Sequence, residues 1–239
     1  MNLETTRTLV QLICSPIGNL GDFTFRAVDC LKKADLIACE DTRHSLRLLS
    51  HYEIPHKELI PLHEHNELKR VDTLVARIQD EGLILAVLSD AGSPSISDPG
   101  FRLVQKCIEE DVRVEVIPGP SAVTTGLIGS GLPTDKFFFG GFLPVKSGKK
   151  EKALQEAIDR EGTSIFFESP HRILKTIALL GTLDPDRLIC VARELTKKFE
   201  TYHRGTAAEL LHSFGDGAVK GEITLLIQGV TRVKKVKSY

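Results

Sequence analysis

Carboxylates, hydroxyls and glycines are concentrated in one polar stretch of this 239-residue sequence, residues 89–100, which read SDAGSPSISDPG. The stretch follows the apolar run 84–88, which predicts a buried strand. A loop of this composition at the carboxyl end of a strand can surround a polar ligand with backbone amides and carboxylates. An ordinary strand-to-helix turn, capped by Asp98 and stiffened by Pro94 and Pro99, explains the same residue types. The stretch alone leaves both interpretations open.

Other polar segments bearing glycine or proline also follow predicted strands. Parallel strands place their carboxyl ends at one edge of a sheet, where ligands bind in open α/β folds. The coincidence predicts a large cleft between two sheets, built for a polar ligand with an apolar portion. These segments are SPIGNLGD (15–22), EDTRH (40–44), PGPS (118–121) and ESPHR (168–172).

The segment HEHNE (63–67) follows the third predicted strand. It does not match a zinc-protease helix, because Glu67 stands where the second metal-binding histidine is required. No third ligand cluster accompanies the two histidines, so no metal site is expected. The segment either holds a substrate and supplies acid/base groups at the cleft, or is surface polarity without a role.

Three tempting motifs fall short. Gly18-x-x-Gly21 lacks the full dinucleotide-binding pattern, and SGKK at 147–150 lacks the first glycine and the hydroxyl residue of a phosphate-binding loop. Ser121 lies one glycine short of a nucleophile elbow and is better explained as a helix cap.

Composition excludes several classes of protein. The chain is 41% hydrophobic and 26% charged with a net charge of −1, as expected of a folded globular protein and not of a polycation that coats nucleic acid. No apolar run has membrane-span length and no signal peptide is recognisable, so we expect a cytoplasmic protein. The five cysteines are widely spaced, which predicts buried, reduced thiols. Basic clusters at 146–152 and 232–237 are either solvated surface or phosphate contacts.

Hydrophobic periodicity predicts two α/β domains, at 1–118 and 119–230, followed by a polar tail at 231–239. In the first domain, strands alternate with helices, which predicts a mainly parallel sheet. In the second, neighbouring strands without full helices between them predict a mixed sheet. Predicted strands are 10–14, 36–39, 59–62, 84–88, 113–117, 136–143, 164–168, 188–193, 198–204 and 222–228; predicted helices are 23–34, 42–51, 67–81, 101–109, 121–131, 153–160, 170–180 and 206–214.

With these segments in view, the sequence resembles the ribosomal RNA small subunit methyltransferase I family of the tetrapyrrole methylase superfamily. The resemblance extends from about residue 9 to 228, with the segments in the same order and spacing. It rests on SPIGNLGD (15–22), EDTRH (40–44), HEHNE (63–67), SDAGSP-x-ISDPG (89–100), PGPSA (118–122), GLPTD (131–135), ESPHR (168–172), ARELTK (192–197) and KGE (220–222).

The resemblance implies a function, a cofactor and an assembly. It implies S-adenosylmethionine (AdoMet)-dependent 2′-O-methylation of one cytidine in the decoding region of 16S rRNA. It also implies a cytoplasmic homodimer with AdoMet in the cleft between the two domains. The implied cofactor residues are Pro16, Gly18, Asp90, Ala91, Gly92, Pro94 and Ile96, with Ser121 and Ala122 beside them, and Phe142, Leu143, Ala192, Gly221 and Ile223 from the second domain.

Methyl transfer to a ribose requires alignment of the 2′-oxygen with the activated methyl group, and the oxygen must lose its proton. Candidate acceptors of that proton are Glu64, Glu168 and Glu222, with His63 and His65 behind them. Arg43, Arg172 and Lys220 are the candidate phosphate-binding cations, and His65 and Asn66 are further candidate substrate contacts.

Two rival functions are compatible with parts of the sequence. The superfamily also permits methylation of a small tetrapyrrole with the same cofactor loop. A non-catalytic RNA-binding module is the second alternative, disfavoured by the absence of a known nucleotide- or RNA-binding signature.

Overall fold

The computed structural model describes residues 8–215 and 218–230. The chain divides into two compact units, Met1–Ser121 and Ala122–Tyr239, and each contains one five-stranded sheet. The prediction of two α/β domains is confirmed. The predicted tail at 231–239, with its cluster of arginine and lysines, lies outside the described residues.

The sheet of the first unit is entirely parallel, as predicted, with strand order β3-β2-β4-β1-β5. Every strand therefore presents its carboxyl end at the same edge, and the polar segments that follow the strands meet there. The strands are β1 (Leu9–Ile13), β2 (Leu36–Cys39), β3 (Glu58–Pro61), β4 (Ile84–Leu88) and β5 (Arg113–Ile117).

Helices cover both faces of this sheet because alternate strand residues are apolar on both sides. On one face Val75 and Leu103, from the third and fourth helices, pack against Val10 of β1. On the other face Leu31 and Leu48, from the first two helices, join a second core. The helices are α1 (Phe25–Lys33), α2 (Thr42–His51), α3 (Glu64–Glu81) and α4 (Phe101–Glu109).

The sheet of the second unit is mixed, again as predicted, with order β6-β7-β10-β8-β9. Strand β6 pairs with β7 in parallel, whereas the pairs β7–β10, β10–β8 and β8–β9 are antiparallel. The last strand in sequence thus lies at the centre of the sheet. The strands are β6 (Phe137–Phe142), β7 (Thr163–Glu168), β8 (Ile189–Arg193), β9 (Thr201–Gly205) and β10 (Ile223–Gln228).

One face of the second sheet carries a single large core, formed with the helices α6, α7 and α8. Leu154, Ile177 and Leu210 contribute to it from these three helices. The helix α5 packs on the sheet at Gly126, whose Cα would place a Cβ 3.3 Å from Thr224 Cγ2. The helices are α5 (Ala122–Ser130), α6 (Ser147–Asp159), α7 (Ile173–Leu183) and α8 (Ala207–Phe214).

Three predicted helix starts are wrong. Helix α3 begins at Glu64 and not at residue 67, and α6 begins at Ser147 and not at 153. In both, a polar first turn concealed the start of the helix. Helix α7 begins at Ile173, because the proline expected to open it at position 170 lies in a preceding turn.

The five cysteines are free, and all but Cys30 are buried, which confirms the predicted reduced thiols. Burial raises the pKa of Cys107 to about 11, and it raises that of Cys190 to about 11 as well. Within the described residues, no helix is long and apolar enough to cross a membrane.

Candidate active site

The loop at residues 89–100 is fixed at its start to the end of β1. Ser15 and Gly92 form an isolated antiparallel bridge, with the Ser15 N–H donating to Gly92 O at 2.7 Å and the Gly92 N–H donating to Ser15 O at 3.0 Å. The Ser89 hydroxyl donates to the same Gly92 carbonyl at 3.0 Å. Gly92 has a φ of +74°, a conformation that glycine adopts without the steric cost of a side chain. Two strand ends are therefore joined at this glycine.

The middle of the loop is held in an uncommon conformation. Ser95 and Ser97 both have left-handed backbones, with φ of 72° and 63°. The Ser95 N–H donates to Pro99 O at 3.1 Å, and a Cβ on Gly100 would lie 2.8 Å from Ser95 Oγ. Left-handed residues other than glycine cost about 1–3 kcal/mol each and persist only where their surroundings hold them. The loop therefore depends on its anchors.

Glu67 is the anchor at the end of the loop. Its side chain reaches from the first turn of α3, is buried, and accepts through Oε1 from the backbone N–H groups of Gly100, Arg102 and Leu103 at 2.9, 3.2 and 3.4 Å. A carboxylate on exposed amides at a helix start satisfies the unpaired donors and interacts well with the helix dipole. The prediction that Asp98 caps this helix is wrong, because the cap position is Gly100 and the carboxylate comes from Glu67.

Four carboxylates lie at the carboxyl edge of the parallel sheet. The Asp41 N–H donates to Asp90 Oδ1 at 3.2 Å, which joins the ends of β2 and β4. Burial and the neighbouring charge of Asp90 raise the pKa of Glu40. Burial, and then the charges of Glu40 and Asp90, raise the pKa of Asp98 to about 6. This edge of the sheet is electrostatically negative and favours a cationic ligand.

At pH values above 6, replacing Asp98 with asparagine is expected to raise the Tm. The folded protein holds the pKa of Asp98 at about 6 against an ordinary 3.8, so folding favours the protonated form and wild-type stability falls as the pH rises through this interval. Asparagine does not titrate, so the gain should be large at pH 7.5 and small at pH 4.5 in thermal unfolding. Asp80→Asn, at an exposed position of α3, is the control. Equal Tm values for wild type and Asp98→Asn at pH 7.5 would contradict the expectation.

The HEHNE segment forms the junction of β3 and α3. His63 is the cap residue of the helix, and its backbone N–H donates to Asn66 Oδ1 at 2.9 Å. The Asn66 amide also donates to Pro61 O at 3.1 Å, so this side chain stabilises the turn. Glu64 and His65 are exposed, and His63 Nδ1 is buried without a hydrogen-bond partner among the described residues. Glu64 and His65 are therefore accessible to a ligand, whereas His63 Nε2 and the Asn66 amide contact each other at 3.0 Å.

Arg43 lies in the first turn of α2, whose cap residue is Asp41. Its side chain is 85% exposed and pairs with Asp41, with Nη2 2.8 Å from Oδ2 and Nε 3.1 Å from Oδ1. These hydrogen bonds lower the pKa of Asp41. A phosphate that binds Arg43 would either share the guanidinium with Asp41 or displace Asp41 from it.

The remaining predicted cofactor residues of the first unit also follow the carboxyl ends of its strands. Pro16 is buried and Gly18 exposed after β1, and Pro94 is buried while Ala91 and Ile96 are exposed in the loop after β4. Ser121 follows β5, and Ala122 begins α5. Direct hydrogen bonds join the ends of all five strands, since the Cys14 N–H also donates to Ile117 O after β1 and the Leu62 N–H to Cys39 O after β3.

In the second unit, Glu168 is the last residue of β7 and its side chain has no exposed surface. It accepts from Lys150 Nζ at 3.3 Å, from Thr176 Oγ1 at 2.8 Å and from the Ser169 N–H at 2.7 Å, and it forms an ion pair with Arg172. Lys150 is itself buried and also donates to Thr176 at 3.1 Å. Both carboxylate oxygens are occupied, so this geometry favours a positioning role, and proton transfer by Glu168 stays a prediction.

Arg172 connects this ionic cluster to a predicted cofactor residue. Its Nη2 donates to Leu143 O at 3.2 Å while it pairs with Glu168. Leu143 is buried and its own N–H donates to Phe167 O at 3.1 Å. The guanidinium is thus engaged with protein groups, and its predicted phosphate contact stays a prediction.

A second ionic cluster forms where β8 ends and β10 begins. Glu194 has a left-handed backbone with φ of 53°, and its Oε1 accepts from the Glu222 N–H at 2.9 Å. Lys197 Nζ lies 3.1 Å from Glu194 Oε1 and 3.0 Å from Glu222 Oε1. Gly221 has a φ of +92°, and a Cβ there would lie 2.4 Å from Glu194 Oε1. Glycine at position 221 adopts this φ without steric cost and leaves room for the Glu194 side chain.

The antiparallel register brings several predicted residues of the second unit to one edge of its sheet. Ile223 pairs with Glu168 on one side and with Arg193 on the other. Ala192 and Ile223 are buried, whereas Phe142 is 63% exposed and Lys220 is exposed. The edge therefore combines a buried apolar floor with exposed aromatic and cationic groups.

Glu67 and four members of the two ionic clusters were not predicted as site residues from sequence: Lys150, Thr176, Glu194 and Lys197. A signal existed for two of them: Glu67 precedes the apolar stripe Val71, Leu74, Val75 and Ile78 at helical spacing, and Lys150 precedes Leu154, Ala157 and Ile158 in the same way. Glu194 carries no such periodicity, because its partners follow it by 27 and 28 residues in the sequence. No group of three or more potential metal ligands occurs in the described part of the chain.

Comparison with known proteins identifies the class. A family model described as Tetrapyrrole (Corrin/Porphyrin) Methylases matches residues 10–211. The solved structure of a cobalt precorrin-4 methyltransferase superposes with a TM-score of 0.66 at 17% identity, covering 95% of this chain and 97% of that chain. This likeness shows the fold alone, whereas the family match makes the protein an AdoMet-dependent methyltransferase.

Curated relatives narrow the class further. Ribosomal RNA small subunit methyltransferase I of Halalkalibacterium halodurans is 45% identical, covering 92% of this chain and 75% of the relative. The enzyme of the same name from Vibrio cholerae is 46% identical, covering 92% of this chain and 77% of the relative. The chain belongs to the ribosomal RNA small subunit methyltransferase I family.

The residues of the first unit suit AdoMet chemically. AdoMet carries a positive sulfonium and an ammonium group, and the carboxylates Glu40, Asp90 and Asp98 lie together at the carboxyl edge, as the coupling of their charges shows. Opposite charges at close range in a partly buried site attract strongly.

Proposed function

We propose that this protein transfers a methyl group from AdoMet to the ribose 2′-oxygen of a cytidine in the decoding region of 16S rRNA. The observation that carries the proposal is 45% identity, across nine-tenths of the chain, to relatives named for small-subunit ribosomal RNA methylation. The nucleoside and the atom that receive the methyl group are the finer part of this proposal.

The main catalytic task of the protein is to align the two reactants. AdoMet supplies a methyl group already activated on a sulfonium, so the chain must hold the ribose oxygen in line with it and exclude water. In our proposal the loop at 89–100 binds the cationic cofactor. Its conformation is supported by the Ser15–Gly92 bridge and by the carboxylate of Glu67.

The 2′-hydroxyl must release its proton to an accessible group. Glu64 and Glu222 are exposed, and a neighbouring ammonium, Lys197, contacts Glu222. We favour these two carboxylates over Glu168, which has no exposed surface, and over His63, whose Nδ1 is buried and whose Nε2 contacts the Asn66 amide. A general base must lie within hydrogen-bond distance of the proton that it accepts. The buried carboxylate of Glu168 cannot come this close to a bound ribose.

We further propose that the enzyme is a cytoplasmic homodimer whose partner is 16S rRNA or the small ribosomal subunit. Placement in the cytoplasm follows from the proposed substrate, and the dimer follows from the family resemblance. The domain limits 1–118 and 119–230, and a cofactor cleft between the domains, belong to the same proposal.

Labelled AdoMet tests the proposal directly. The protein is incubated with unmethylated small subunits, with naked 16S rRNA, or with a uroporphyrinogen-type tetrapyrrole, and the label is located by nucleoside analysis. We expect label in ribosomal RNA, recovered as 2′-O-methylcytidine. Label on a base or on another nucleoside would overturn the assigned atom, and label in the tetrapyrrole alone would overturn the RNA substrate.

A further inference from the structure

The turn between β8 and β9 presents a phenylalanine to solvent after two lysines. Phe199 is 63% exposed; Lys197 and Lys198 precede it in sequence and Glu200 follows it. The Lys198 Nζ lies 5.6 Å from the centre of the Phe199 ring. A large apolar side chain exposed at a turn has no role in packing the core and suggests a contact with a partner.

The backbone of this turn is held by its own hydrogen bonds. Glu194 and Thr196 have left-handed φ values of 53° and 66°. The Lys197 N–H donates to Glu194 O at 3.0 Å, the Glu200 N–H donates to Lys197 O at 3.1 Å, and the Thr196 N–H donates to Glu200 Oε2 at 2.6 Å. Strained backbone of this kind is concentrated at functional sites. The turn therefore holds its aromatic residue in place before a partner binds.

Arg193 joins this turn to the segment before β10. Its Nη2 donates to Phe199 O at 3.3 Å, its Nη1 donates to Lys220 O at 3.1 Å, and its Nε donates to Thr201 Oγ1 at 3.1 Å. One guanidinium thus spans the backbone of both segments. Phe199 consequently lies beside Lys220, one of the predicted phosphate-binding cations.

The lysines around the ring divide into two kinds. Lys197 is engaged by Glu194 and Glu222. Lys198 and Lys220 are exposed, and within the described residues neither has a carboxylate at ion-pair distance. Two cations therefore remain available beside the exposed ring.

We propose that Phe199 is a stacking platform for one base of single-stranded RNA, with Lys198 and Lys220 binding the adjacent phosphates. Every base has a π face that stacks on an aromatic ring, and lysines bind the backbone without regard to sequence. Unpaired RNA bases are commonly recognised by such stacking. The inference rests on the proposed rRNA substrate and adds a contact that holds the strand close to the second ionic cluster.

A second copy of this chain fits the turn less well. A two-fold contact through Phe199 places Lys198 and Lys220 against their own equivalents, and like charges across an interface are unfavourable. An RNA strand instead brings negative charge to both lysines.

A tryptophan at position 199 provides a direct readout, because the chain contains no tryptophan. Phe199→Trp keeps a stacking surface, so we expect its fluorescence to be quenched by a single-stranded oligoribonucleotide of the decoding-region sequence. Phe25→Trp, at an α1 position where the phenylalanine is 93% exposed, is the matched control and should be unaffected by the RNA. Absence of quenching at position 199 would overturn the proposal.

Kinetics separate stacking from simple burial. We expect Phe199→Ala and Phe199→Leu to raise the KM for the RNA substrate about tenfold, the scale of one lost base stack, with unchanged affinity for AdoMet. Leucine kinetics equal to wild type, or a change of oligomeric state in either variant, would overturn the stacking role. If wild type methylates RNA and Phe199→Ala does so equally well, this inference alone fails. If wild type methylates no RNA, the proposed function fails.

Discussion

Replacing Lys150 with methionine is expected to lower the free energy of unfolding by about 3 kcal/mol. Lys150 is buried and donates to the buried carboxylate of Glu168 at 3.3 Å. Methionine keeps most of the volume of the lysine side chain but removes the positive charge that pairs with the Glu168 carboxylate. Breaking a buried ion pair by removing one partner typically costs about 3–5 kcal/mol. The lower end applies because Arg172 still pairs with Glu168. Urea unfolding followed by circular dichroism measures the difference.

The adjacent lysine supplies the control for this prediction. Lys149 lies in the same helical turn but is exposed, so Lys149→Met should change stability by no more than about 0.5 kcal/mol. Adding Glu168→Gln to Lys150→Met removes the buried charge and should recover part of the loss. Equal stabilities for the Lys149 and Lys150 variants would show that the buried pair contributes nothing measurable.

Replacing Glu67 with alanine is expected to raise the Kd for AdoMet about tenfold. The Glu67 carboxylate accepts three backbone hydrogen bonds at the end of the loop that we propose binds the cofactor. Without it the left-handed residues Ser95 and Ser97 can relax, and the apparent Kd rises in inverse proportion to the fraction of molecules with a competent loop. A tenfold effect corresponds to a competent fraction of about one tenth. Isothermal titration calorimetry gives the Kd.

Two further variants define what Glu67 does. Glu67→Gln retains a carbonyl oxygen that can accept from the same amides, so its Kd should lie between those of wild type and Glu67→Ala. Asp80→Ala, on the exposed face of the same helix, should bind AdoMet as wild type does. A lower Tm with an unchanged Kd for Glu67→Ala would restrict Glu67 to stabilising the fold.

Most of the secondary structure was predictable, because the spacing of apolar residues along the sequence indicates helices and strands. The parallel sheet, the mixed sheet and the strand β10 follow from apolar runs of the right length between polar turns. Two of the wrong helix starts lie at polar first turns, and the third lies at the proline-containing turn before α7. Residues 64–66 and 147–152 contain no apolar stripe of their own, so periodicity could not show that α3 and α6 extend through them.

The arrangement of the site was predictable only in part. The position of loop residues at the carboxyl ends of strands follows from the fold, but their roles in binding stay predictions. Sequence could not show which carboxylate caps α4, because Glu67 and Gly100 are 33 residues apart and their contact arises from the packing of α3 beside α4. Glu194 and Gly221 are brought together by strand pairing in the same way.

The central position of β10 has a consequence for how the protein is made. Ribosomes deliver the chain from its amino end, and β10 emerges after β7 and β8, yet it lies between them. Until residues 223–228 are available, these two earlier strands lack their common neighbour and expose unpaired edges. The first unit can fold as soon as it emerges, whereas the second sheet closes only after residues 223–228 are made. The cluster of Glu194, Gly221 and Glu222 therefore forms after the parallel sheet of the first unit.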